Sequence, residues 1–239
     1  MPTLARLMHY LIALAALALA GHAVAAPART AFQARCEDTL DKTISVVTAQ
    51  QNGYSVNTQL SYKALTAMGG RGAGHEFVLG LTKAESWIQL NPVKLRILPD
   101  ALSGYECIAP QLSFSISFKP FVIYVGNEFA PGTCAYKEIL AHEFRHMQAY
   151  LDHLPKVDRT VRDALAKRFA GKPFYAPQGT AVSALNHEVS ASWIPFIRNE
   201  VAKAELAQVV IDAPEEYRRI SNACDGEIQR ILKQGRRQR

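Results

Sequence analysis

Alternating apolar and polar residues dominate the first half of the chain, and helical spacing dominates the second. Residues 112–118 alternate with period two, 121–125 form a compact apolar run, and 93–97 alternate apolar with basic side chains. Successive side chains of a strand point to opposite faces, so these segments are expected to be strands with one face in a core. Residues 75–82 alternate in the same way. Two further strands are expected at 43–49 and 54–59, joined as a hairpin by Gln51-Asn52-Gly53, because Asn-Gly adopts the positive φ angles of a tight turn. Helices are expected at 31–40, 61–68, 134–151, 159–169, 180–210 with a break near Pro195, and 215–233. In the third of these Thr133 is the N-cap, and Ile139, Leu140, Phe144, Met147, Leu151 and Leu154 recur at helical spacing until Pro155 ends the pattern. The pattern as a whole is α+β, a mixed β-sheet in the N-terminal half followed by a helical C-terminal half.

The two ends of the chain change that picture. Arg6, the apolar run 11–20 and the small residues Ala23-Val24-Ala25 make residues 1–25 a secretory signal peptide, cut after Ala25. A little over two hundred residues then remain, enough for one domain with a sizeable core, with no stable membrane span after cleavage. Cys36, Cys107, Cys134 and Cys224 all lie in the mature chain. An even count in an exported protein reads as two disulfides, and the expected pairs are Cys107–Cys134, which bracket two adjacent strands, and Cys36–Cys224, which would tie the ends together. The net charge of +6 is diffuse apart from the run around Arg236, Arg237 and Arg239, read as a solvated tail. No interleaved basic and aromatic platform suggests nucleic acid. The glycine-rich stretch 69–74 lacks the ending of a phosphate loop and is read as a plain loop.

The chemistry is concentrated in His142-Glu143-Phe144-Arg145-His146, an HExxH pentad. Imidazoles four residues apart on a helix point the same way, one turn apart, and can hold two corners of a zinc tetrahedron. Glu143 can then reach an activated water as general base. In pentad and helical setting this segment resembles the zincin metallopeptidases. The resemblance covers about twenty residues. It implies a zincin-like fold, a sheet packed on the HExxH helix with an edge strand that helps to hold extended substrate, one Zn²⁺ per chain on His142 and His146, and Glu143 as catalytic base.

A catalytic zinc usually has three protein ligands and one open position. Glu188, on a later helix and on the same side as Leu185, Ser192 and Phe196, is the preferred third ligand, since an inward carboxylate needs a strong partner. This placing resembles the gluzincins, although Ser192 stands where one common gluzincin pattern has an aspartate. The competing role for Glu188 is an ion pair with an arginine such as Arg145. Asp152 and His153 compete for the metal from the pentad helix itself. Ala149 replaces the glycine that would turn the chain back in the related metzincin pattern, so both are set too far round or along the helix. His187 is a further alternative, and Tyr150, Tyr175 and His187 are candidate donors to an oxyanion.

The resulting expectation is a secreted or periplasmic zinc metallopeptidase in a single zincin-like domain, 26–239, which could divide into lobes 26–155 and 156–239. It would act on a peptide, a protein or a cell-wall peptide. The alternative is a non-catalytic exported binding protein with the same fold and a structural metal or none.

Overall fold

A computed structural model describes residues 28–40, 44–69, 77–91, 95–169 and 172–237. Residues 1–25, read from sequence as a signal peptide, most of the glycine-rich stretch and the last two residues lie outside the described residues. The elements are α1 (Ala31–Thr39), β1 (Ile44–Gln50), β2 (Tyr54–Asn57), α2 (Tyr62–Met68), β3 (Gly80–Lys83), β4 (Ser86–Asn91), β5 (Ile97–Asp100), β6 (Tyr105–Ile108), β7 (Gln111–Phe118) and β8 (Phe121–Val125). There follow α3 (Cys134–Phe169), β9 (Phe174–Pro177), α4 (Ala181–Glu188), a π-turn (Val189–Trp193), α5 (Ile194–Ala202), α6 (Glu205–Ile211), α7 (Pro214–Asn222), a 3-10 turn (Cys224–Gly226) and α8 (Glu227–Arg237). The protein is thus α+β, with mixed sheets in front and helices behind. Residues from Cys36 onward make one unit. Among the described residues no helix is long and apolar enough to cross a membrane.

Asn52-Gly53 does not close a hairpin. β1 pairs in parallel with β7 and β2 in parallel with β8, and Ile44 faces Gln111 as Tyr54 faces Phe121, the same offset of 67 residues. The ladder therefore runs on through the bend, where Asn52 Nδ2 donates to Phe118 O at 2.7 Å and Phe121 N donates to Gly53 O at 3.0 Å. On the other side β4 pairs antiparallel with β7, and β3 antiparallel with β8. The sheets β1-β7-β4 and β2-β8-β3 are two halves of one three-stranded surface, creased where Lys119-Pro120 interrupts the central strand. The third sheet, β5-β6-β9, is separate and includes a strand in what reads from sequence as loop.

Burial follows the predicted alternation where the strands are regular. Leu112, Phe114, Ile116 and Phe118 of β7 are buried, as are Phe121, Ile123 and Val125 of β8. Fully burying each such side chain contributes roughly 1.5–3 kcal/mol. One core lies under β7 and takes in Val161, Leu165 and Phe169 of α3 with Leu185 and Ile197. The other takes in Val125, Phe129, Ile139 and Ile228. α3 spans both, and the pentad lies between its contributions to the two. It also passes straight through Pro155. That residue forfeits a helical hydrogen bond, but Leu154, Val157, Val161, Leu165 and Phe169 bury an apolar stripe beyond it, and this outweighs the loss. The last predicted helix, in contrast, is divided by the positive φ of Cys224, Asp225 and Gly226.

The disulfides are Cys36–Cys107 and Cys134–Cys224, not the pairs expected from sequence. Cys107 and Cys134 are separated by β7 and β8, and β7 alone carries the chain roughly 26 Å. Bridged Cα atoms must come within about 7 Å. The observed bonds close loops of 71 and 90 residues, each worth roughly 4–5 kcal/mol in the chain-entropy account. Two disulfides fit an oxidising compartment.

Glu106 on β6 caps α4, whose own N-cap Thr180 turns its hydroxyl back to Pro177 O at 2.7 Å and makes no capping bond. Its buried carboxylate accepts from Ala181 N at 2.7 Å. The backbone N–H groups of Gly179, Ala181 and Thr180 hold it below its ordinary 4.5. A depressed carboxylate stabilises the fold above its unfolded pKa, and that contribution is lost as pH falls through the folded value. Glu106→Gln is therefore expected to lower the melting temperature at pH 7. The gap from wild type should shrink steadily below pH 4.5 in melts followed by circular dichroism.

Candidate metal centre

The face of α3 that enters the protein carries Ala135, Ile139, His142, Glu143 and His146 in succession. Thr133 Oγ accepts from Tyr136 N at 3.2 Å, so the helix is capped as expected. Phe144, one residue round, packs edge-on against Tyr54 at 5.2 Å. The three site side chains are only 4–9% exposed, yet all line a cleft of about 610 Å³. They are withdrawn from bulk water but open to a ligand.

His142 Nε2 and His146 Nε2 stand 3.0 Å apart. The carboxylate that joins them is Asp212, with Oδ1 at 3.2 Å from each. Sequence reasoning missed this residue. Asp212 closes the C-terminus of α6, where the chain must leave the helix because Pro214 begins α7 and forces Ala213 into an extended conformation. A carboxylate at the negative end of a helix dipole is disfavoured unless something compensates it. An aspartate just before an Ala-Pro break was the available signal.

Glu188 is not at this site. Arg168 donates to both its oxygens, at 3.0 and 2.8 Å, and Trp193 Nε1 donates at 3.2 Å. The inward carboxylate does have a strong partner, but it is an arginine. Asp152 accepts from Gln148, His153 meets Glu200 O at 2.7 Å, and His187 is exposed on α4. Of the suggested oxyanion donors Tyr150 lines the cleft, its hydroxyl donating to Glu205 at 2.8 Å.

The outer nitrogen of His146 decides which way its imidazole presents its lone pair. His146 Nδ1 lies 2.6 Å from Gln208 Oε1. A carbonyl oxygen only accepts, so the proton is on Nδ1 and the Nε2 lone pair faces Asp212. His142 Nδ1 faces two partners, the donor Arg145 Nη2 at 3.1 Å and the acceptor Glu216 Oε1 at 3.4 Å, so its outer contacts do not select a single tautomer. Glu216 is itself gripped by Arg145 and Arg219, and Arg219 reaches on to Glu138 at 2.6 Å. Arg219 first, then Arg145, bring Glu216 down to about 2 against the opposing effect of burial. It is therefore an anion at any working pH.

Two imidazole nitrogens and a carboxylate oxygen thus converge on one point, and like lone pairs at this range need a cation between them. Ligands 2.0–2.1 Å from a tetrahedral ion stand ~3.3 Å apart, close to the observed 3.0–3.2 Å. His142, His146 and Asp212 are accordingly a group that could hold a metal ion. In the absence of metal a proton serves instead. Burial works against a charged His146, but the Asp212 bond, Glu143 and Gln208 outweigh it and raise its pKa. Burial opposes the charge of Asp212 too, and its bonds to His142 and His146 hold it well below the usual carboxylate range.

Glu143 stands beside this group rather than in it. Thr82 Oγ donates to its Oε2 at 2.8 Å and to its backbone oxygen at 2.9 Å. Burial pushes its pKa up, partly countered by His146, His142 and Thr82. The approach of β3 requires Gly80, since a Cβ there would lie 2.7 Å from Glu143 Oε1 and 2.8 Å from Ile139 Cγ2.

The grip on His142 gives a direct prediction. Glu216→Ala is expected to weaken metal binding by about 10–100-fold, read by chelator competition, while Glu216→Gln, which keeps an acceptor, recovers part of the loss. Equal affinity in all three proteins would show that Glu216 does not position His142.

The chain matches no protein-family model, no curated protein and no solved structure.

Proposed function

We propose that the protein is an exported zinc-dependent peptidase with a zincin-like site, in which His142, His146 and Asp212 hold the metal and Glu143 is the general base. The convergence of three lone pairs on one point beside a buried carboxylate carries this reading. Zinc suits the donor set, because two imidazoles and one carboxylate at tetrahedral spacing match its preferences and not those of calcium, which takes six to eight oxygens. When bound, the ion acidifies water and polarises a carbonyl.

The protein's own groups do the rest. Glu143 takes a proton from water and returns it to the departing amine, acting as general base and then general acid. Thr82 fixes one of its oxygens, and the other lies against the side-chain-free face of Gly80. β3 positions the substrate. Leu79 faces Gly126 as a hydrogen-bonded pair with β8, so the main-chain groups of Gly80 and Thr82 turn away from β8 along the cleft. An extended peptide can add there as a further strand. Exclusion of water by the buried setting strengthens each of these interactions. A free peptide, a protein segment and a cell-wall peptide all offer such a main chain.

The test is metal content and cleavage together. Purified mature protein is expected to carry one zinc per chain and to cut an extended peptide substrate, with activity lost to a chelator and restored by zinc. A protein that takes up zinc but cuts nothing, or takes up none, belongs instead to the exported binding proteins.

A further inference from the structure

We infer that the substrate carries a large aliphatic or aromatic side chain next to the cleaved bond, seated between Ile139, Ile220 and Leu232. This rests on the peptidase reading and adds the class of substrate to it. The cleft is not uniform along its length. At one end its floor is Ile139, Ile220 and Leu232, each no more than 8% exposed, with Phe77 and Leu79, just before β3, beside them. These residues belong to the second hydrophobic core, so the cleft opens onto apolar packing there. Polar lining at this end, Arg218, Ser221, Asn222 and Gln229, is exposed or half-buried and so forms a rim above that floor. At the other end, a turn beyond His146, the lining is Tyr150 bonded to Glu205.

Ile139 lies one helical turn before Glu143, about 6 Å along the axis, and Gly80 touches both. A peptide added along β3 with its cleaved bond at Glu143 therefore projects a neighbouring side chain onto the Ile139 floor. An aliphatic or aromatic group gains by leaving water there. A carboxylate would be stripped of water against Ile139, Ile220 and Leu232, none of which can pair with it, while the charge of Arg218 on the rim is already met by Glu215 at 2.6 Å.

The test uses zinc-loaded Glu143→Gln protein and a fluorescein-labelled extended heptapeptide of small polar residues with a single leucine, so that the leucine sets the register. Replacing that leucine by alanine or aspartate is expected to weaken binding by on the order of ten-fold or more. Adding Ile220→Ala is expected to lower the preference for leucine over alanine and to improve binding of a further peptide, with tryptophan in place of the leucine, relative to the leucine peptide, a reversal that loss of folded protein cannot produce. Equal affinity for the leucine, alanine and aspartate peptides, binding of none of them, or a preference untouched by Ile220→Ala overturns the inference. A leucine preference in a protein whose wild type leaves the peptide uncut overturns the peptidase reading alone.

Discussion

Asp212→Ala is expected to deprive the protein of its metal while the fold persists. The substitution removes one of three converging donors and the only negative charge among them, since His142 and His146 bind as neutral imidazoles. The loss should exceed the ~10–100-fold that follows removal of a group that merely steadies a ligand. The fold is spared because Asp212 sits at a helix C-terminus with its side chain 29% exposed, where a carboxylate is electrostatically unwelcome without its partners. Metal that binds only the folded state raises the melting temperature. Zinc should do so for wild type and fail to do so for the variant. Tight, stoichiometric zinc in Asp212→Ala would sink the assignment and return the search to another third ligand.

The second large effect is expected at Glu143. Glu143→Gln keeps the size of the side chain and can still accept from Thr82, but it cannot take a proton. Hydrolysis should fall by roughly 10²–10⁴-fold, with zinc content unchanged at one per chain. The pairing of those two readouts matters, because Glu143 is 4% exposed and a misfolded protein would lose both. Full activity in a zinc-loaded variant would remove Glu143 from the chemistry.

The pentad was legible in the sequence because its geometry is local. Positions 142 and 146 share a helix face whatever the rest of the chain does, and α3 supplies the helix. Asp212 was not, because its place depends on how α6 returns across α3, which no spacing encodes. Glu188 misled for a related reason. Its helix face was informative, but the residue opposite that face, Arg168, is set by tertiary packing. The strands at 112–118 and 121–125 were readable from alternation, while their partners were not. Asn52-Gly53 carries a strong local hairpin preference that the parallel pairing of β1 with β7 and β2 with β8 overrides. Pro155 is the same conflict in a helix, decided by the apolar stripe on its far side. The even cysteine count predicted two disulfides correctly, but partner choice depends on distances between strands and helices that sequence order does not reveal.

Cys134 is the first residue of α3, and its bond to Cys224 fastens that helix to the turn directly after α7. The segment between Asp212 and that turn is short, so the strap holds both halves of the metal centre together. The strap adds to the bonds of His146 with Gln208, Tyr150 with Glu205 and Glu138 with Arg219, which also keep Asp212 opposite the imidazoles. A covalent clamp across α3 and the turn after α7 thus shortens the unfolded chain's search for the arrangement in which the three donors meet.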